Sequence, residues 1–140
     1  MSKYSFGTKS ELSLSTCDFA LQNIARQALA LGLMDFMVIE GYRTVEIQHE
    51  YFLSNASKVD AGDPRAKHNK KPFSKAFDAV PYVNGNLSWN KLHCCCLAFL
   101  ILTVAAYLGY KIRWGGNWDM DGEPITDQEF QDLGHFELIE

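Results

Sequence analysis

The chain has 140 residues, 47% of them hydrophobic and 21% charged, with a formal net charge of -4 and a pI near 5.5. That length suits one domain around one core, and the balance excludes a disordered or collagen-like chain. The acidic charge offers no broad field for nucleic-acid phosphates, so nucleic acid is not an expected partner.

Met1 to Gly7 lacks a charged region followed by an apolar stretch, so no secretory signal is expected and the chain should stay in the cytoplasm of a cell until released. Phe19, Leu21, Ile24, Ala25, Ala28 and Leu29 then recur at helical spacing, with Ser15 and Thr16 as a start signal and Gly32 as a stop. Residues 35–40 (DFMVIE) are apolar and β-prone and run into Gly41, which predicts a strand and a turn. A second helix is expected from Val45 to Leu53, capped by Thr44. From Ser54 to Lys75 the sequence turns polar, punctuated by Gly62, Pro64 and Pro72, and a loop of that length inside a small domain tends to be functional. Within it the basic run Arg65, Lys67, Lys70, Lys71 and Lys75 reads either as a solvated face or as an attractor for an anionic polymer.

Ala76 to Tyr82 predicts a strand that displays Asp78 among apolar neighbours. Ser88 opens a long apolar helix that Gly109 closes. Its segment Cys94 to Tyr110 lies at the lower edge of a bilayer span, yet a buried central helix is preferred, because residues beyond it are needed at the candidate site. Cys94, Cys95 and Cys96 sit on this helix. With Cys17 they lack the spacing of a disulfide framework, and adjacent helical positions point about 100° apart, so the trio reads as reduced core packing. Lys111 to Trp114 predicts a strand, Gly115 and Gly116 begin an acidic loop, Thr126 and Glu129 form a capping box for a short helix, and His135 to Leu138 a final strand. The irregular interleaving, without internal repeats, favours an α+β domain spanning residues 1–140.

Three separated pieces carry chemistry: His68, Asp78, and the pair Asp132 and His135. Two histidines and a carboxylate suffice to hold catalytic zinc while leaving a corner open for water, whose pKa the metal lowers toward neutrality. A neighbouring carboxylate must then move protons, and Asp132 is the candidate. One helical turn or a tight bend would bring Asp132 and His135 to the same ion. As a bare pattern this is weak, since a histidine and an aspartate at such spacing are commonplace.

The strings EGYRT (Glu40 to Thr44), KHNKKPFSKAFDAVPY (Lys67 to Tyr82), IRWGGNWDMDG (Ile112 to Gly122) and ITDQEFQDLGHFEL (Ile125 to Leu138), in that order, resemble bacteriophage endolysins of the L-alanyl-D-glutamate peptidase type, which belong with D-Ala-D-Ala carboxypeptidases in one zinc peptidase superfamily. The resemblance implies a Hedgehog/DD-peptidase-like fold, an antiparallel sheet with helices packed on it. It implies zinc held by His68, Asp78 and His135, Asp132 as general base, and Arg43 beside the oxyanion, where the alternative is a surface ion pair with Glu40 or Glu46. The implied substrate is the stem peptide of peptidoglycan, cut between L-Ala and D-Glu by a monomer without a stable membrane anchor. Two departures stand out: Ala66 replaces the serine usual before the first ligand, and the His68 to Asp78 spacing is long, with Phe73 as the extra residue.

Asn117, Asp119, Asp121 and Glu123 place oxygen ligands on alternate residues around Gly122, as in an EF-hand loop. A calcium site and a tight acidic turn are both open readings. His49 and His93 read as surface or packing residues, and Trp114 and Trp118 as either cleft or core. The rival functions are a D-Ala-D-Ala carboxypeptidase with the same zinc site, a catalytically silent wall-binding module, and a membrane-anchored structural protein.

Overall fold

A computed structural model of the chain describes residues 3–61, 63–124 and 131–139. Among the described residues four helices, α1 (Thr8–Ser15), α2 (Phe19–Ala30), α3 (Val45–Leu53) and α4 (Lys91–Leu108), accompany five strands, β1 (Phe36–Glu40), β2 (Ala76–Val83), β3 (Asn86–Leu87), β4 (Ile112–Gly115) and β5 (Asp132–Leu138). The sheet is antiparallel in the order β1-β2-β5-β4, with β3 folding back on β2. This is the expected α+β architecture.

Alternation along the strands divides the sheet into two faces. Phe77 of β2 lies opposite Phe136 of β5, and Trp114 of β4 is also paired with Phe136. Together with Phe36 and Val38 of β1 they face a core closed by Leu21, Ile24 and Ala28 of α2 and by Leu97, Ala98 and Ile101 of α4. Each large apolar side chain buried there contributes about 2–3 kcal/mol. The opposite face carries the polar members of the same strands: Asp78, His135, Glu137 and Arg113.

Several local expectations are corrected. Ser15 and Thr16 close α1, a helix that the sequence pattern does not announce, and Asp18 caps α2 by accepting from the Ala20 amide at 2.9 Å. Asn90 rather than Ser88 caps α4, its side chain accepting from the Leu92 amide at 2.8 Å. The final strand begins at Asp132 rather than His135. Asn84 and Gly85, both at positive φ, turn β2 into β3, the backbone that an Asn-Gly hairpin demands. The capping box of Thr126 and Glu129 lies outside the described residues.

The apolar helix α4 is not buried all round. One side, from Cys94 to Ala105, packs in the core, while Leu92, Phe99 and Tyr107 are exposed. By length and composition it is the one helix among the described residues apolar enough to cross a membrane, with a third of its span (33%) buried. The cysteines on it, like Cys17, are free thiols.

Candidate metal centre

Strand register brings two of the three expected ligands together. Asp78 of β2 lies directly opposite His135 of β5, and side chains at directly opposed positions project to the same face and meet. The third, His68, comes from the polar loop, on a 3-10 turn at Lys67–Asn69. The His68 Nε2 atom stands 3.2 Å from Asp78 Oδ1 and 3.2 Å from His135 Nδ1, and the remaining edge, His135 Nδ1 to Asp78 Oδ1, is 3.5 Å. One ligand atom from each residue thus closes a small triangle.

Hydrogen bonds on the outer side of each ring fix what faces inward. The His68 Nδ1 proton is donated to the Gly41 carbonyl at 2.7 Å, and the His135 Nε2 proton to Glu137 Oε1 at 2.8 Å. In neutral imidazoles both inner nitrogens are then acceptors, and two lone pairs 3.2 Å apart repel unless a proton or a cation sits between them. Asp78 Oδ1 adds to the demand, being buried and lacking any hydrogen bond of acceptable geometry. Three converging acceptors with an orphaned carboxylate oxygen among them are the donor set that a metal ion satisfies.

The EGYRT segment is tied to this turn. The Arg43 amide donates to the His68 carbonyl at 2.8 Å, and the Tyr42 amide to the Thr16 hydroxyl at 2.8 Å. A Cβ at Gly41 would collide with Thr16 and Ser13, so only glycine lets the carbonyl that orients His68 come this close to the end of α1. The Arg43 guanidinium is buried, 8% exposed, and holds Glu40 at 2.6 Å, Gln48 at 2.7 Å and Asp78 Oδ2 at 3.5 Å. The surface ion pair weighed for Arg43 is therefore an interior one with Glu40 that extends to a metal-ligand candidate. Its Cζ atom also lies 4.6 Å from the Tyr51 ring centroid.

Asp132 reaches the same cleft by a bulge, so of the two geometries its spacing allowed, a tight bend rather than a helical turn is used. Trp114 pairs with Phe136, and the next residue, Gly115, pairs with Asp132, so Leu133, Gly134 and His135 are extra on β5. A regular strand would point Asp132 and His135 to opposite faces; the bulge turns both toward the cleft. Trp114 pins it by donating its indole N–H to the Leu133 carbonyl at 2.8 Å. A Cβ at Gly115 would strike the Asp132 carbonyl, which explains the glycine at this position.

The charges perturb one another strongly. Burial opposes ionisation of Asp78, but the nearby imidazoles of His68 and His135 outweigh it and hold the carboxyl well below the usual range. Burial likewise disfavours the His135 imidazolium, yet the carboxylates of Asp78 and Glu137 prevail and push it up to about 9. Asp132 is raised, by burial and by the charge of Asp78. Glu137, paired with Arg113 at 2.7 Å, is held low by His135 and Arg113 against the effect of burial.

The centre opens into a cleft of about 530 Å³ walled by α3, residues 56–59, the loop before His68, and Trp118. Trp118 leans over His135 with ring centroids 5.5 Å apart, while Trp114 is a core residue, 1% exposed. Of the bland histidines, His49 pairs with Asp60 at the surface and His93 with Ser88. In the acidic loop Asp119 and Asp121 each accept a backbone amide two residues on, from Asp121 and Glu123 respectively, and Asn117 Oδ1 is buried without a hydrogen-bond partner.

Known proteins are similar to this chain. The model of the phage L-alanyl-D-glutamate peptidase family matches residues 1–139. The chain belongs to that family. It is 32% identical over 139 residues to the L-alanyl-D-glutamate peptidase of Escherichia phage T5, a match covering 97% of this chain and 98% of the relative. The crystal structure of the Serratia marcescens L-Ala D-Glu endopeptidase ChiX matches with a TM-score of 0.75 and 27% identity, over 96% of this chain and 89% of ChiX. The family gives the His-Asp-His triangle an enzymatic setting.

The sequence pattern did not single out Glu137, Arg113 or Gln48. The signal for Glu137 was present in HFE: two polar residues at i and i+2 on a strand share a face, so a ligand at His135 already implies a carboxylate beside it. Gln48 had no such signal. It is buried on α3, accepts from Arg43 through Oε1, and donates through Nε2 to Ser57 Oγ at 2.9 Å and to the Val59 carbonyl, tying the cleft wall to the site.

Proposed function

We propose that the chain is a zinc endopeptidase that hydrolyses the L-Ala-D-Glu bond of murein stem peptides, with zinc held by His68, Asp78 and His135. The triangle of 3.2, 3.2 and 3.5 Å carries this reading. Donors about 2.0–2.1 Å from a tetrahedral centre stand roughly 3.3–3.4 Å from one another, which matches zinc, whereas calcium would spread them further. Bound zinc would supply Lewis acidity and lower the pKa of water at the open corner.

The chain's own residues would do the rest. Asp132 takes the proton from the attacking water and delivers it to the departing amine. Arg43 spends its Nε, one Nη1 and one Nη2 proton on Glu40, Gln48 and Asp78, which leaves two of five donors for the developing oxyanion. Glu137 holds the His135 ring in the tautomer that presents Nδ1 inward. In this reading the protein is a soluble monomer, made in the host cytoplasm and acting on the wall once released. Monodispersity in detergent-free buffer checks the first point.

Turbidity of a suspension of outer-membrane-stripped cells, with metal content measured in parallel, tests the mechanism. Asp132→Ala should abolish lysis and keep zinc; His68→Ala should lose both. Undiminished lysis by Asp132→Ala would remove that residue from the mechanism. The acidic loop enters the same proposal as a calcium site formed by Asn117, Asp119, Asp121 and Glu123, supported by the buried, unpartnered Asn117 oxygen. Lysis or melting temperature that ignores added calcium in the zinc-loaded protein would leave it a plain turn.

A further inference from the structure

The basic run beside the first ligand is not a uniform solvated face. Five cations line the cleft: Arg43, Lys58, Arg65, Lys67 and Arg113. Arg43 is held by Glu40 at 2.6 Å, Arg113 by Glu137 at 2.7 Å, and Arg65 by Asp63 at 2.8 Å, while Lys58 has a contact of its own. Outside the cleft, Lys75 is paired with Asp18 at 2.6 Å. Lys67 is different. It is half-buried in the cleft wall, adjoins His68 in the chain, and has no carboxylate within ion-pair distance among the described residues. Its backbone is pinned independently of its side chain, because its carbonyl accepts from the amides of Lys75 at 3.0 Å and Lys70 at 3.3 Å.

An uncompensated ammonium set into the wall of a reaction cleft is a binding site for an anion. If the scissile bond is L-Ala-D-Glu, the reading on which this inference rests, the substrate supplies one at a fixed place. The α-carboxylate of D-Glu is borne on the carbon attached to the scissile nitrogen, and covalent geometry keeps it within about 5 Å of the carbonyl under attack. The peptide continues through the side-chain carboxyl of D-Glu, which leaves the α-carboxylate free. In some cell walls this group is a carboxamide, uncharged and of nearly the same shape. We infer that Lys67 is the specificity-determining residue that binds the D-Glu α-carboxylate, so that the enzyme prefers stem peptides carrying the free acid over the amidated form.

The test uses the zinc-loaded full chain and two synthetic stem peptides that differ only in carboxylate or carboxamide at this position. Wild type should cleave the carboxylate peptide with the higher kcat/KM. Lys67→Met should lose on the order of 10- to 100-fold on that peptide, the range for a charge-assisted hydrogen bond, chiefly through KM. It should change little on the carboxamide, so that the preference collapses, and Lys67→Arg should restore it. Zinc content and melting temperature equal to wild type keep the comparison free of misfolding. An equal loss on both peptides, or a preference that survives Lys67→Met, overturns the assignment of Lys67 while leaving the endopeptidase reading intact. Failure of wild type to cut either peptide between Ala and Glu overturns both.

Discussion

On the proposed mechanism zinc displaces a proton from His135, and the pH dependence of metal binding follows from it. His135 has an ordinary pKa near 6.5, is 10% exposed, and is raised to about 9 by Asp78 and Glu137 against the pull of burial. Zinc requires the neutral ring. At pH 7, two pH units below the raised value, displacing the proton costs roughly 3 kcal/mol, on the order of a hundredfold in affinity. The carboxyl of Asp78 is already ionised throughout this range and adds nothing. The apparent zinc association constant should therefore rise about tenfold per pH unit from near 6.5 and level off above 9. The folded-state pKa of His135 lies above its unfolded value, so its protonation stabilises the metal-free fold fully below pH 6.5, and this is lost as pH climbs through 9. The metal-free melting temperature should fall across that window by several degrees while the increment from zinc grows. Competition against a chromophoric chelator and calorimetric melting, each from pH 6 to 9, measure the two quantities. A zinc affinity that is flat between pH 6.5 and 8.5, or a metal-free protein that grows more stable there, would refute the proton-for-zinc exchange.

Two further substitutions separate the roles of neighbouring residues. Gly115→Ala places a methyl group against the Asp132 carbonyl and, on the proposed mechanism, should shift Asp132 without touching His68, Asp78 or His135. The expected result is a fall in kcat of about 100-fold with zinc stoichiometry unchanged; wild-type kcat would show that the bulge tolerates the methyl. Glu137→Gln keeps an acceptor for the His135 ring proton but removes the charge, and should weaken zinc about 10- to 100-fold. Because the His135 pKa drops at the same time, zinc binding should level off at a lower pH than the 9 expected of wild type. An unchanged levelling-off point would assign the raised pKa to Asp78 alone.

Where the cause was local, the residues alone were informative. The helical spacing from Phe19 to Leu29, the Thr44 cap, the Gly109 stop and the apolar alternation around Asp78 are properties of a few consecutive residues, and the elements formed where those properties placed them. Other local errors came from competing signals of equal strength. Ser15-Thr16 and Ser88 are good capping residues, but Asp18 and Asn90 stand nearer the first turns they cap.

The sequence by itself determined which side chains could do this chemistry, because imidazole, carboxylate and guanidinium at motif spacing are legible one residue at a time. The tertiary structure alone decided how they meet. Register set Asp78 against His135, a bulge opposite Gly115 turned Asp132 into the cleft, and the Gly41 carbonyl and Glu137 chose which nitrogen of each ring faces inward. It also left the outer side of α4 uncovered, since mean hydropathy records how apolar a helix is and not how many of its sides find partners. Those outcomes depend on contacts between residues far apart in the chain, whose energies no local window contains.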